Sequence, residues 1–342
     1  MYIYILDKNL KRIGLIDNYV SLIWTTRYYL CGDFELYLPV TSDFIEMLQI
    51  GYYLQTTESD YTMIIESVDI KTDAENGNYL TVSGRSVESL LNRRVVSPRA
   101  GVSNMPVEST AEYLIHYNFV SPVVGERKIP EIGIFDTAKN FPEKITSQYF
   151  GDNVYETITQ LCQTYGYGFR MPLKNGKFTF EMYNGLNRTR SQKENAPAVF
   201  SPEFENLVNT EYVYDTKESK NVALVAGQGE GFARTNTFAG SESGLERREI
   251  FVDARDLSNE ELTDSEYMTV LKSRGIEKLS EYEQHPQYTG EVNNFPDYCN
   301  LGDIVEVENE FGMRATARIV EIIESYSTSG NTRIPTFDEW SV

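Results

Sequence analysis

Histidine is almost missing from this chain of 342 residues: only His116 and His285 occur, beside three cysteines and two tryptophans. That removes the commonest general base at neutral pH. His116 lies in a helical, aromatic segment and His285 just before Pro286, positions expected of a surface or helix-end residue. Cys31, Cys162 and Cys299 are odd in number and far apart, which suits neither a disulfide framework nor a CxxC metal clip. Their expected role is that of small buried hydrophobes. No HExxH, GxSxG or SxxK pattern is present, so no catalytic set, metal site or cofactor is predicted. Long apolar runs are lacking too. The start, MYIYILDKNLKRIG, has too few apolar residues before Asp7 for a signal sequence, and no later window approaches a membrane span. Synthesis in a cytoplasm without membrane insertion is the expectation.

Basic residues are scarce relative to acidic ones, 31 against 51, for a net charge of −20. Such an excess repels polyanions and disfavours sequence-specific nucleic-acid binding. Paired carboxylates can cleave glycosides, but among 51 acids no pair is distinguished without geometry. With 41% hydrophobic and 24% charged residues the composition is that of a globular protein, and the length predicts two or more compact units.

What the chain does have is β-patterning. YIYIL, RIGLI, VSLIWTTRYY and DFELYLP alternate between Asp, Asn and Gly turns, and YYLQTT, YTMIIESVDI and NYLTVSG follow with a tight turn at Asn76-Gly77. Between them SDFIEMLQI reads as a short helix capped by Ser42, with Phe44, Ile45 and Leu48 on one face. Residues 1–97 make a small β-barrel or sandwich closed by the helix SVESLLNRR. Residues 98–203 read as an α/β domain: TAEYLIHYNFV is helical, and NVYETITQLCQTYG has Val154, Ile158, Leu161, Cys162 and Tyr165 on one stripe behind Asp152 as N-cap. A hairpin follows across Asn175-Gly176, and the polar run RTRSQKENAP is expected as an exposed loop. Residues 204–256 return to strands, and 257–342 hold a long helix, DSEYMTVLKSRGIEKLSEYEQ, behind a Ser258/Glu261 capping pattern, then strands again. Ile64–Ser67 and Ile322–Ser325 both read IIES, a faint internal echo.

The stretch NVALVAG, GQGEGFAR, RREIFVDARDL invites a nucleotide-binding reading, which its spacing rejects. Gly227, Gly229 and Gly231 alternate, Phe232 stands where a third fingerprint glycine belongs, and the polar TNTFAGSESG follows instead of a helix. No Gly-Lys-Ser/Thr completes a P-loop. The glycines are expected to turn one strand sharply back. Arg234, Arg247 and Arg248 have Glu230, Glu249, Asp253 and Asp256 as candidate ion-pair partners, across strands or between subunits. Leu301-Gly302-Asp303, before an alternating strand, reads as an entry turn in which Gly302 supplies unusual dihedrals and Asp303 an Asx-type hydrogen bond. Tyr28-Tyr29, Tyr52-Tyr53 and Tyr165-Tyr167 could stack sugars, though tyrosine at subunit interfaces is the favoured reading.

Motifs along nearly the whole chain carry a resemblance: FELYLP at Phe34 to Pro39, GRSVESLLNRR at Gly84 to Arg94, GDNVYETI at Gly151 to Ile158, VAGQGEGFAR, RREIFVDARDL, LGDIVEV at Leu301 to Val307 and IPTF at Ile334 to Phe337. In this order they resemble the minor tail or tail-hub proteins of long-tailed phages of Gram-positive bacteria, the siphovirus ReqiPepy type. The resemblance implies an α+β, β-rich fold with two small β-barrel, tube-like domains, an inserted α/β domain and a long helix. It implies a homotrimer whose two tube domains per subunit make a pseudo-sixfold ring at the tail tip. Such a hub joins tail tube proteins to tip, fibre or receptor-binding proteins, and DNA passes through its lumen. An acidic lumen would give DNA no sites to stick, an effect confined to residues within about 10 Å at physiological salt. Gly227, Gly229, Glu230, Gly231, Arg234, Arg247, Arg248, Asp253, Leu301, Gly302 and Asp303 are then fold and assembly residues. Relatives that run further into peptidoglycan-cleaving or fibre domains leave a tail-associated cell-wall hydrolase as an alternative, and the tyrosine pairs leave a receptor-binding, glycan-binding tail protein as another. The sequence stops at Val342, where some relatives continue, so a lytic role is not the expectation.

Overall fold

The alternation of FELYLP becomes a strand, Asp33–Pro39, with Phe34, Leu36 and Leu38 buried and Glu35 turned outward. The computed structural model describes residues 1–73, 77–134, 141–260, 262–284 and 287–340. The expected turn residue Asn76, together with Glu261 and His285, lies outside the described residues. Two units result, each assembled from separated stretches: Met1–Leu90, Tyr167–Val213 and Gln287–Val342 in one, Leu91–Gly166 and Tyr214–Pro286 in the other.

The first unit is built on an eight-stranded sheet. Its path runs Val199–Phe200, Ile304–Glu308, Arg314–Ser327, Ser21–Arg27, Asp33–Pro39, Gly77–Arg85, Ser67–Asp73, and Gly330–Trp340 also pairs with Arg314–Ser327. Arg314–Ser327 decides the architecture. Its first residues pair with Ile304–Glu308, its last with Ser21–Arg27, and the register shifts between Ile319 and Glu321, where the Val320 carbonyl accepts the Tyr28 amide at 2.8 Å. A bulge of this kind lets one strand change partners without ending.

Two apolar cores flank that bulge. One joins Leu22, Trp24, Phe34, Leu36, Leu80 and Val82 to Ile3, Ile5, Ile16, Leu54 and Met63, so that residues of a four-stranded sheet (Arg12–Ile16, Ile3–Leu6, Tyr53–Thr56, Thr62–Ile64) share a core with the long one. The other gathers Phe200, Val305, Val307, Ala317, Ile319 and Phe337 with Leu207, Val292 and Phe295, the last three from the Leu207–Val213/Gln287–Val292 ribbon and the turn after it. Among the described residues no sheet closes on itself. The IIES echo falls differently in the two places. Ile64 ends a strand and Ser67 begins the next, whereas Ile322–Ser325 lie inside one long strand.

Helix α1, Ser42–Met47, is capped by Thr41, whose Oγ1 accepts the Phe44 amide at 3.1 Å; Ser42, the expected cap, is its first residue. Leu48 is buried and Phe44 packs against the core, but Ile45 is exposed. The helix expected at SVESLLNRR is a 3-10 helix, Val87–Arg93. The Asn175-Gly176 hairpin is present between Leu173–Lys174 and Lys177–Tyr183, both turn residues at positive φ, as a two-residue turn matched to strand twist requires.

The second unit packs helices on two small sheets. Helix α2, Val107–Ile115, continues into a π-turn, His116–Val120, and helix α3, Val154–Tyr165, buries Val154, Ile158, Leu161 and Cys162. Asn153 caps α3, accepting from Tyr155 and Glu156, while Asp152, one residue earlier, accepts the Phe150 amide. Helix α4, Asp264–Ser280, starts at a reciprocal Thr263/Glu266 box rather than at Ser258, and ends four residues before the expected Gln284. It lies on a three-stranded sheet with Val222–Ala226 central, antiparallel to Asn236–Ala239 and parallel to Glu249–Asp253. Gly275 permits this contact: a Cβ there would sit 2.6 Å from that of Ala239 and 2.7 Å from Val225 Cγ2.

Candidate functional site

The glycine turn links the central strand to its antiparallel neighbour. The Gly227 amide donates to the Thr235 carbonyl at 2.8 Å, and Gly229, at φ +107°, passes so close to Ala233 that a side chain would meet its carbonyl. Gly231 opens a 3-10 turn, Gly231–Ala233, anchored by the Glu230 carbonyl accepting from Ala233. A strand follows, so no helix N-terminus faces the turn and no phosphate cradle exists here.

Arg234 holds the turn down. Its Nε donates to the Gly227 carbonyl at 2.8 Å and its Nη2 to the Ala226 carbonyl and to Asp253. Asp253 also takes Arg255 at 2.6 Å, and Arg255 and Arg234 together hold its carboxyl down at about 2. Arg247 pairs with Glu249 at 2.5 Å and donates to the Glu242 carbonyl. Arg248 instead donates to the Thr216 carbonyl, and Asp256 pairs with Arg274 at 3.1 Å. The structure therefore brings Gly227, Gly229, Glu230, Gly231, Arg234 and Asp253 into one locked turn, with Arg247 and Arg248 at the sheet's other end.

Leu301, Gly302 and Asp303 lie in the first unit. Gly302 has φ +90°, and a Cβ would strike the Tyr28 ring at 2.3 Å, so glycine is required on both counts. Asp303, 2% exposed, does more than a local Asx bond. One oxygen accepts the Leu186 amide at 2.8 Å; the other accepts the Asn300 amide at 3.0 Å and Arg188 Nε at 2.5 Å, and Arg188 is 7% exposed. The run RTRSQKENAP, expected as an exposed loop, thus begins with a buried arginine. Its guanidinium finds the aspartate 115 positions away.

A groove of about 400 Å³ opens beside this turn, lined by Asp60, Tyr61, Arg170, Tyr183, Leu301 and Asp303 among others. Arg170 joins Asp60 at 2.7 Å to Glu181 at 2.6 Å and lies over the Tyr183 ring. The Tyr61 and Tyr183 hydroxyls are 3.1 Å apart, and burial raises both phenols above their ordinary value, which keeps them protonated donors rather than nucleophiles. Arg170 engages both carboxylates and Lys174 also meets Glu181 at 2.6 Å, so these two acids sit in ion pairs rather than as a poised acid and base. Sequence reading missed it because its members are far apart in the chain, Asp60 and Arg170 by 110 positions and Tyr61 and Tyr183 by 122.

The other residues picked out in the sequence disperse. Tyr28 and Tyr29 are both buried, Tyr28 meeting the Tyr29 and Tyr183 rings edge-on; Tyr167 is buried and Tyr52, Tyr53 and Tyr165 half-buried. The expected one-in, one-out arrangement fails for Tyr28-Tyr29, because the chain leaves its strand after Arg27. Cys162 and Cys299 are buried, with their thiols pushed up by burial, and Cys31 is half-buried. His116 is exposed. Among the described residues no three His, Cys, Asp or Glu side chains are grouped to hold a metal, and no helix is long and apolar enough to cross a membrane.

Solved structures share this fold over almost their full length. The 43 kDa tail protein of prophage MuSo2 from Shewanella oneidensis is 14% identical with a TM-score of 0.59, covering 99% of this chain and 98% of its own. A tail protein from Neisseria meningitidis MC58 is 14% identical at TM-score 0.58, with 98% and 96% covered. Prophage tail protein gp18 from Listeria monocytogenes EGD-e is 14% identical at 0.56, with 99% and 94% covered. No curated protein sequence matches the chain. The profile of the Siphovirus ReqiPepy6 Gp37-like proteins matches residues 2–337, and to that phage protein family this chain belongs.

Proposed function

We propose that the protein is a structural hub of a phage tail tip or baseplate, a homotrimeric adaptor between the tail tube and the host-facing proteins, with DNA passing through its centre. One observation carries this reading. A single strand, Arg314–Ser327, runs past two separate apolar cores, one built mainly from the beginning of the chain and one from its end together with Ala198, Phe200 and Leu207. Two such modules in each of three copies supply six similar elements around an axis, which suits a partner of sixfold symmetry. The family match and the fold shared with prophage tail proteins support the tail assignment. The second unit, with its locked glycine turn, is the part we assign to carrying distal tip proteins.

The role is mechanical rather than catalytic. Asp60 and Glu181 are held in ion pairs by Arg170, and the motif residues set turns and form ion pairs. Native mass spectrometry of the purified chain tests the adaptor reading. Three copies per particle at micromolar concentration are expected; a stable monomer that forms no ring with tube protein contradicts it.

A further inference from the structure

Besides the Arg170 network, the groove of the first unit is lined by Glu58, Glu324, Arg333 and Asn184, with Leu186 and Leu301 among its apolar members. Strand register sets Arg333 of Gly330–Trp340 directly opposite Glu324 of Arg314–Ser327. The Arg333 guanidinium lies 4.8 Å over the Phe295 ring, and its Nε is 3.2 Å from a Glu324 oxygen without the alignment of a hydrogen bond. Among the described residues this guanidinium makes no hydrogen bond, whereas Arg170 is tied to Asp60 and Glu181. Burial raises the Glu324 carboxyl above its ordinary value, Arg333 opposes this, and the nearby charge of Glu58 adds to it. Glu58 itself takes a long contact, 3.5 Å, from the Tyr326 hydroxyl. The Asn184 oxygen accepts from Tyr28 and Arg318 at 3.4 Å each, which leaves the amide nitrogen as a donor.

The groove therefore presents donors and acceptors of both charges side by side, and their arrangement selects a class of ligand. An anion drawn to Arg333 meets Glu58 and Glu324 beside it, and an amine drawn to those carboxylates meets Arg333. A neutral ligand with several hydroxyls meets neither repulsion, because each hydroxyl both donates and accepts. Hydrogen bonds from such hydroxyls to ionised groups are also roughly twice as strong as those between neutral partners. Leu186, 47% exposed, and the half-buried Leu301 add an apolar wall for the C–H face of a ring. The volume of about 400 Å³ lies within the roughly 300–1,000 Å³ of small-ligand sites.

We propose that this groove binds a neutral saccharide, with Arg333 and Asn184 donating to its hydroxyls and Glu58 and Glu324 accepting from them. The site does not depend on the trimer proposed above. The tyrosine pairs singled out in the sequence as sugar platforms take no part in it. Sequence reading could not assemble it, since Glu58, Asn184 and Arg333 come from distant parts of the chain.

Saturation-transfer NMR of the purified chain tests the site, with neutral di- and trisaccharides of hexose and N-acetylhexosamine as probes and inorganic phosphate, spermidine and glycine as charged competitors. Neutral saccharides are expected to receive saturation and to be displaced by none of the three. Arg333→Ala and Glu58→Ala are each expected to weaken the titrated affinity about tenfold or more, with unchanged circular dichroism. Glu58 is exposed, so its variant decides if Arg333→Ala, which uncovers the Phe295 ring, does not fold. No saturation reaching any neutral saccharide overturns the proposal. Undiminished affinity in the folded variants places the sugar elsewhere and overturns it too, and displacement by a charged competitor overturns the ligand class.

Discussion

Asp303 accepts three hydrogen bonds from groups that have no water to fall back on, the Leu186 and Asn300 amides and the Arg188 guanidinium. Removing one partner of a buried pair leaves the other charge uncompensated, a loss of about 3–5 kcal/mol. Asp303→Ala is therefore expected to lower the chemical unfolding free energy of the first unit by that amount, and Arg188→Ala to do much the same. A double variant costing no more than either single one would confirm their coupling; additive losses would refute it. Of this constellation the sequence disclosed Gly302 and Asp303, because a turn before an alternating strand has local grammar. It hid Arg188, since nothing in a polar run marks which member will be drawn inward.

Helix α4 shows how an element is positioned by packing as much as by its own signals. Gly275 sits where Ala239 and Val225 leave no space, so Gly275→Val overfills the contact and is expected to cost about 1–3 kcal/mol, read as a lower melting midpoint of the second unit. The same helix buries Glu277. Tyr149 donates to its carboxylate at 3.1 Å and Arg274 lies 3.9 Å away, with Asp152 and Tyr165 also nearby in charge terms. Burial nonetheless pushes its carboxyl up to about 7 from an ordinary 4.5. A raised pKa in the folded state means stability present below pH 4.5 and lost as pH rises through 7, on the order of 3 kcal/mol. Melting of the second unit is expected to fall between pH 5 and pH 8, and Glu277→Gln to flatten that slope; an equally steep slope in the variant would sink the assignment. Element type was legible where pattern is local, as in the α3 stripe and the Asn175-Gly176 hairpin. Caps slipped by one residue at Thr41 and Asn153 because neighbours of similar capping chemistry stand side by side in each case.

Across the whole molecule the sequence conveyed order and charge better than arrangement. It separated strand-rich from helical stretches, but could not disclose that strands from both ends of the chain share one sheet, or that each unit is interleaved in sequence. Long-range pairing leaves no local mark. With a net charge of −20, the purified chain is expected to leave duplex DNA unretarded in gels at physiological salt; a shifted band would contradict passage without adhesion. Peptidoglycan zymograms are expected to show no clearing. The adaptor account stands or falls most directly on an electron-microscopy map of the assembled tail tip. It predicts three copies of this chain around the channel, each contributing two similar β-modules to a pseudo-sixfold ring beneath the tube. Density placing the chain elsewhere, or three copies with only one module at the axis, would contradict it.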